Sequence, residues 1–425
     1  NILFEIIKNI KEYIVLEIFV IAYCLYFAFS TYTSFMQIGF VKDAKKLKPI
    51  ILDSKKYEEA SNYSIEKEKI AIASSFYDFI LFILWISFGL SLLNSLINVE
   101  SMWLKAVIFV DLFIVINWIF TLPFELYSTF KLNKKYGFSN MTPALFIKDT
   151  LKTGLLFLIF GSGVIAGISF IINSFSTWWI WGFVFIFVII ILINMLYPVI
   201  RDKMFDKFEK LKDKELEQKI ENLLDEVGFK SSGVFSVDAS KRDNRLNAYF
   251  GGLGATKRVV LFDTLVEKLT HNELLAVLGH ELGHFKNGDI VKNIGIMGVV
   301  MFVFFGIFGN LPDELFLGLS LNNEPYAIIA VFLIFSPILS FFLMPLISLI
   351  SRHNEYAADT FGSNLSSKED LVSALLKLAN ENKSFPLSHP IYIFFYYSHP
   401  PLVERFKELG YDVNNINNEG FNYAK

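Results

Sequence analysis

Residues 270–288 read THNELLAVLGHELGHFKNG. Within them, His280-Glu281-Leu282-Gly283-His284 sets two imidazoles four residues apart, one turn on the same face of a helix. Two neutral imidazoles so placed can grip one Zn²⁺, with Glu281 beside the open coordination position. The flanks predict that helix. Thr270-His271-Asn272-Glu273 has the form of a capping box. Leu274, Leu275, Val277 and Leu278 supply an apolar face, and Asn287-Gly288 is a stop.

A catalytic zinc wants a third protein ligand, and residues 351–359, SRHNEYAAD, offer one. On a helix Glu355 and Asp359 fall one turn apart. Glu355 completes a His₂Glu set, leaving the fourth position to water. Asp359 can reach the outer nitrogen of a ligand histidine and fix its tautomer. Standing alone, Glu-x-x-x-Asp would be a solvated acidic stripe; here it follows a long apolar segment. His353, two residues from Glu355, points away from the metal, and His271 and His389 read as structural or solvent-facing.

Working outward, the chain is unusually apolar. It has 425 residues, 53% hydrophobic, with 46 phenylalanines and a mean hydropathy of +0.46. Seven stretches can span a bilayer, near 13–33, 76–98, 103–122, 153–173, 177–199, 291–310 and 326–350. None has the form of a cleavable signal, and an initial Asn suggests trimming at the extreme N-terminus. The fold class expected is an all-α membrane protein carrying a small α+β zinc domain.

Lysines orient it. Residues 34–75 carry eight, Lys131, Lys134, Lys135 and Lys148 lie between the third and fourth spans, and Arg201, Lys203 and Lys207 follow the fifth. Residues 174–176 and 311–325 carry no Lys or Arg, although Lys105 lies near the second-to-third turn. The N-terminus therefore faces outward, and the C-terminus and both zinc half-motifs face the cytoplasm. A bacterial inner membrane and the endoplasmic reticulum fit this equally. One cysteine, Cys24, excludes a disulfide framework. A net charge of −3 without a basic block argues against nucleic acid. Gly251-Gly252-Leu253-Gly254 falls short of a dinucleotide motif and reads as a hairpin turn.

Four segments follow: 1–200 with spans one to five, 201–290 with the zinc helix, 291–351 with spans six and seven, and 352–425 folding back to deliver Glu355. The first soluble segment opens with an amphipathic helix around 203–226. Short β-like runs follow at 233–237, 246–250 and 258–262. An exposed strand edge beside a zinc helix can hold an extended peptide, and Asn247-Ala248-Tyr249 is the candidate edge.

Together, His280–His284, Glu355-x-x-x-Asp359, Asn247-Ala248-Tyr249 and Ser398-His399-Pro400-Pro401 resemble the type-1 CAAX prenyl proteases. Residues 123–130, PFELYSTF, and 136–142, YGFSNMT, resemble that family's loop after the third span, so the likeness covers nearly the whole chain. It implies seven tilted helices around a water-filled chamber, closed by the zinc domain at its cytoplasmic end. Glu17, Asp78 and Asp111, costly against lipid, make sense there.

The expected chemistry is peptide-bond hydrolysis. Zn²⁺ held by His280, His284 and Glu355 acidifies water, and Glu281 takes its proton and passes it to the leaving amine. His399 is the candidate oxyanion donor, and Arg352 or Arg405 can anchor substrate charge. By resemblance the substrate is a prenylated C-terminal peptide, cut before its last three residues. A quality-control zinc protease without a prenyl requirement is the alternative. A non-catalytic seven-span scaffold is a third, which the intact Glu281 disfavours.

Overall fold

The computed structural model describes residues 2–252 and 257–413. The turn expected at 251–254 falls partly outside them. Each apolar stretch coincides with one of seven long helices: Ile14–Ala44, Ser54–Leu96, Met102–Lys135, Pro143–Ser174, Trp178–Leu196, Asp289–Phe308 and Pro325–Leu365. Several greatly exceed the bilayer. The seventh has 41 residues, about 60 Å at 1.5 Å per residue, roughly twice a hydrocarbon core. Its interior Pro337 and Pro345 are tolerated where neighbouring helices re-satisfy the backbone.

Each span packs on the next in sequence, and the seventh returns to the first, closing a ring. The most apolar windows of the second and seventh spans are 28% and 39% buried, and the others less. The share is 6% for the most apolar window of the fifth and 17% for the first, third and fourth. Most side chains of these windows are exposed, toward lipid outside the ring or toward space within it. Far from the paired histidines the ring is plugged by apolar side chains, among them Phe109, Leu315, Phe316, Leu319 and Tyr326. Ser162 donates to Asp111 at 2.7 Å and Ser74 to Asp78 at 3.4 Å; Glu17 is exposed.

At the other end sits a four-stranded sheet. Its strands are β1 (Phe208–Lys210), β2 (Val234–Val237), β3 (Ala248–Gly251) and β4 (Arg258–Phe262), in the order β1-β2-β4-β3. β2 and β4 are parallel, and both edge strands run antiparallel to their neighbours. The amphipathic helix starts later than 203. The fifth-span helix runs on to Met204, residues 208–210 pair with β2, and only at Asp213 does a side chain cap the Lys214–Val227 helix. That helix buries Leu216, Ile220, Leu223 and Leu224 and ends on Gly228 at φ 74°, a backbone that glycine adopts without strain.

The loop after the third span ties the membrane helices to the sheet domain. Asn140 donates to the Ser240 carbonyl at 2.7 Å and to Asn244 at 2.8 Å. Arg245 reaches Tyr63 and Asn133 at 3.0 and 2.9 Å while its guanidinium covers the Phe138 ring.

Candidate active site

The helix His271–Lys286 begins on the predicted capping box. Glu273 N–H donates to Thr270 Oγ1, and Thr270 N–H donates to Glu273 Oε2. The Glu273 carboxylate also accepts from Ser373 at 2.5 Å and Lys377 at 2.6 Å, pinning the helix Lys368–Glu381 alongside. Leu274, Leu278 and Leu282 enter the core under the sheet, so His280 and His284 turn to the opposite face. The helix stops at Asn287, and Gly288 at φ 71° swings the chain into the sixth span.

Small residues set the closeness of the second helix. A Cβ on Gly283 would lie 2.8 Å from Ala358 Cα, and one on Gly362 would lie 2.5 Å from His280 N. The C-terminal end of the seventh-span helix thus crosses the histidine helix backbone to backbone. This brings in Glu355, 2% exposed, from far along the chain. Glu355 Oε1 is 3.2 Å from His284 Nε2, and its Oε2 is 3.6 Å from His280 Nε2. One ligand atom from each of the three residues lies within 4.8 Å of the others.

This set fits a divalent cation. Glu355 Oε2 is buried without a hydrogen bond, 3.6 Å from His280 Nε2 and 3.8 Å from Arg405 Nη1, beyond hydrogen-bonding reach of either and open to a cation. Two imidazole nitrogens and one carboxylate are also a common catalytic metal set. Each imidazole is oriented from behind. His280 Nδ1 is 2.8 Å from Asp359 Oδ1, and Asp359 is clamped by Arg405 at 2.7 and 2.5 Å. His284 Nδ1 is 3.0 Å from Asp289 Oδ2, whose other oxygen accepts from Lys292 at 2.9 Å. Burial disfavours charge on His284, yet Glu355 and Asp289 outweigh it and hold the imidazole proton up to about 9. A metal ion would take the place of that proton.

Glu281, half-buried, follows His280 on the same helix. His399 lies on a bend before Pro400-Pro401, 63% exposed, with Nδ1 2.7 Å from Glu355 Oε1. Arg405 is buried against Asp359, with Nη1 3.8 Å from Glu355. Arg352 instead donates to the Ile393 and Tyr397 carbonyls at 3.0 and 2.6 Å, closing the end of the helix Pro390–Tyr396. β3, holding Ala248 and Tyr249 with Asn247 just before it, is an edge strand touching the histidine helix. Of the other histidines, His271 pairs with Asp213, His389 caps residues 390–396, and His353 is exposed.

Sequence reading missed Asp289, Gly283 and Gly362. Asp289 had a signal, as an acidic residue just past the Asn-Gly stop, opening an apolar span. The glycines had only their place beside the ligands.

A ring of seven membrane helices capped by a His-His-Glu site on a sheet-backed helix defines a membrane-embedded metalloendopeptidase. Comparison with known proteins agrees. Residues 210–413 match the model of peptidase family M48, and residues 37–207 match that of the CAAX prenyl protease N-terminal segment of five membrane helices. The chain is 33% identical to CAAX prenyl protease 1 of Saccharomyces cerevisiae over 421 residues, covering 91% of this chain and 93% of that protein. It is 30% identical to the Homo sapiens CAAX prenyl protease 1 homolog, covering 84% and 87%. The crystal structure of S. mikatae Ste24p superposes with a TM-score of 0.80 at 31% identity, over 92% of this chain and 98% of that one. The chain belongs to peptidase family M48, in its membrane-spanning CAAX prenyl protease branch.

Proposed function

We propose that the protein is a zinc endopeptidase that releases the C-terminal tripeptide of prenylated CAAX-type proteins at the cytoplasmic face of its membrane. The observation that carries this is the meeting of His280, His284 and Glu355 at one point, in a chain whose full-length relatives are named for CAAX substrates. Lysine-rich connections on the site's side support the N-out, C-in orientation. When bound, zinc supplies a Lewis acid that activates water and polarises the scissile carbonyl.

The residues divide the remaining work. Glu281 accepts the proton of the attacking water and returns it to the departing amine. Asp359 and Asp289 hold the two imidazoles in the tautomer that leaves Nε2 free for the metal. Arg405, buried on Asp359, is a positioning residue, and Arg352 acts on the loop that ends at His399. With Nδ1 engaged by Glu355, His399 donates to a developing oxyanion from Nε2 only as an imidazolium. Asn247, Ala248 and Tyr249 offer the substrate a strand edge.

Two measurements test the reading. Glu281→Ala should retain the metal and lose cleavage of a reporter peptide; turnover in that variant would remove the base assignment. Farnesylated and unmodified peptides of equal sequence should differ in rate. Equal rates would leave peptide hydrolysis without prenyl recognition.

A further inference from the structure

His399 is held only loosely by its own contacts. Its side chain is 63% exposed and meets the site through Nδ1, 2.7 Å from Glu355 Oε1. Packing does not fix an imidazole so exposed, so its place is set by the chain on either side. On the far side Pro400 and Pro401 are buried, and a residue before proline is confined to extended backbone. On the near side comes the helix Pro390–Tyr396, whose seven residues are too few to hold a conformation by themselves.

What holds that segment is a side chain of the first span. Gln37 is 2% exposed. Its Oε1 accepts from the His389 N–H at 2.9 Å, and its Nε2 donates to Ser388 Oγ at 2.8 Å. A backbone N–H can only donate, so the amide has one orientation. Ser388 Oγ in turn lies 2.7 Å from the Tyr397 hydroxyl, which links the start of the segment to its end. The Tyr397 carbonyl accepts from Arg352 at 2.6 Å. Tyr397 is thus fixed at its main chain by the seventh span and at its ring by the first. Midway along the helix, Tyr392 donates to Glu68 of the second-span helix at 2.6 Å.

We propose that Gln37 is a positioning residue for His399, acting through Ser388 and Tyr397. A side chain far from both zinc half-motifs in the sequence then governs where the imidazole stands beside Glu355. His399 follows Tyr397 by two residues, a reach of about 7 Å, so a shift of the tyrosine is passed on with little slack. A displacement of about 1 Å at a reacting group can cost roughly 100-fold in rate. This rests on the reading of His399 as the oxyanion donor and adds which residues aim it.

The test uses the full-length protein and one reporter peptide, with kcat, KM and zinc content measured for each variant. Tyr397→Phe and Ser388→Ala each remove a single hydroxyl and break the relay with little risk to folding. Each should lower kcat roughly 5- to 20-fold while KM and bound zinc stay close to native. The two together should lose no more than the larger single loss, because they break one relay. Gln37→Leu, which severs the relay at its source, should lose at least as much. The deciding comparison is made in a His399→Ala background, itself slower by roughly 100-fold or more. There the same substitutions should cause no further loss. A further loss of equal size would mean that the relay acts on the fold or on the metal ligands, and native kcat in both single variants would mean that it does nothing; either overturns the proposal. Native turnover by His399→Ala would remove the oxyanion reading and the proposal with it. A native protein that cleaves no peptide would overturn the peptidase reading itself.

Discussion

Replacing Gly283 with alanine tests whether the helix crossing sets the metal site. The added carbon would sit 2.8 Å from Ala358 Cα, 3.1 Å from the Ala358 carbonyl oxygen and 3.2 Å from Phe361 Cβ. Ordinary carbon contacts begin near 3.5 Å, so the two helices must part by roughly 0.7 Å. No flexible side chain lies in the way to absorb this; the obstacle is chiefly backbone. Ala358 sits between Glu355 and Asp359, so the displacement reaches both carboxylates. Metal–ligand distances tolerate only about 0.2 Å, several times less than the imposed shift. Overpacking of this kind costs about 1–3 kcal/mol, which the fold can survive while the site fails. We expect metal affinity, read by competition with a chromophoric chelator, to drop roughly 10- to 100-fold, as when an outer ligand contact is removed. Gly362→Ala should behave alike, its added carbon meeting His280 N at 2.5 Å. Gly154→Ala is the control, having nothing within 4 Å. If Gly283→Ala binds zinc as tightly as the native protein and cleaves at the native rate, the crossing does not set the site.

Two further perturbations probe the supports. Arg405→Met leaves Asp359 buried at 1% exposure without the guanidinium that clamps both its oxygens, a loss of about 3–5 kcal/mol, to be seen as a lowered thermal midpoint with its metal retained less tightly. Burial pushes the Glu273 carboxyl up, but Lys377 and Ser373 outweigh it and hold the group below the ordinary glutamate value. Its folded pKa being depressed, Glu273 contributes stability that is present above about pH 4.3, the unfolded value, and is lost as pH falls through the folded one. Glu273→Gln should therefore lower the thermal midpoint at pH 7 more than at pH 4; an equal loss at both would show that the carboxylate's charge contributes nothing.

Much of this was legible because local rules and function pointed the same way. The capping box at Thr270–Glu273, the one-turn histidine spacing and the seven apolar stretches are short-range signals, and each lies where its sequence placed it. Glu355 was readable through chemistry, since a His₂ site wants a carboxylate, and Asp359 through its spacing from Glu355. The start of the Lys214–Val227 helix was misplaced for a physical reason. Phe208 and Leu211 fit a helical stripe as well as they fit an edge strand and its exit. The choice was made by pairing with β2, a contact between residues about 30 apart.

The division of the site between segments follows from the same geometry. The histidines ride on a helix backed by the sheet domain, while Glu355 and Asp359 ride on the continuation of a membrane span about 60 Å long. Arg405, which holds Asp359, comes from a third segment beyond both. A fragment cut before the sixth span would keep His280, Glu281 and His284 yet lack Asp289, Glu355, Asp359 and Arg405. Two imidazoles alone cannot reproduce the three-ligand set or its oriented tautomers. The hydrolytic centre therefore exists only when the sheet domain is seated on the helical ring. That arrangement ties peptide hydrolysis to the mouth of a membrane protein, and it explains why backbone-to-backbone contact at Gly279, Gly283 and Gly362 occurs at the seam between the two.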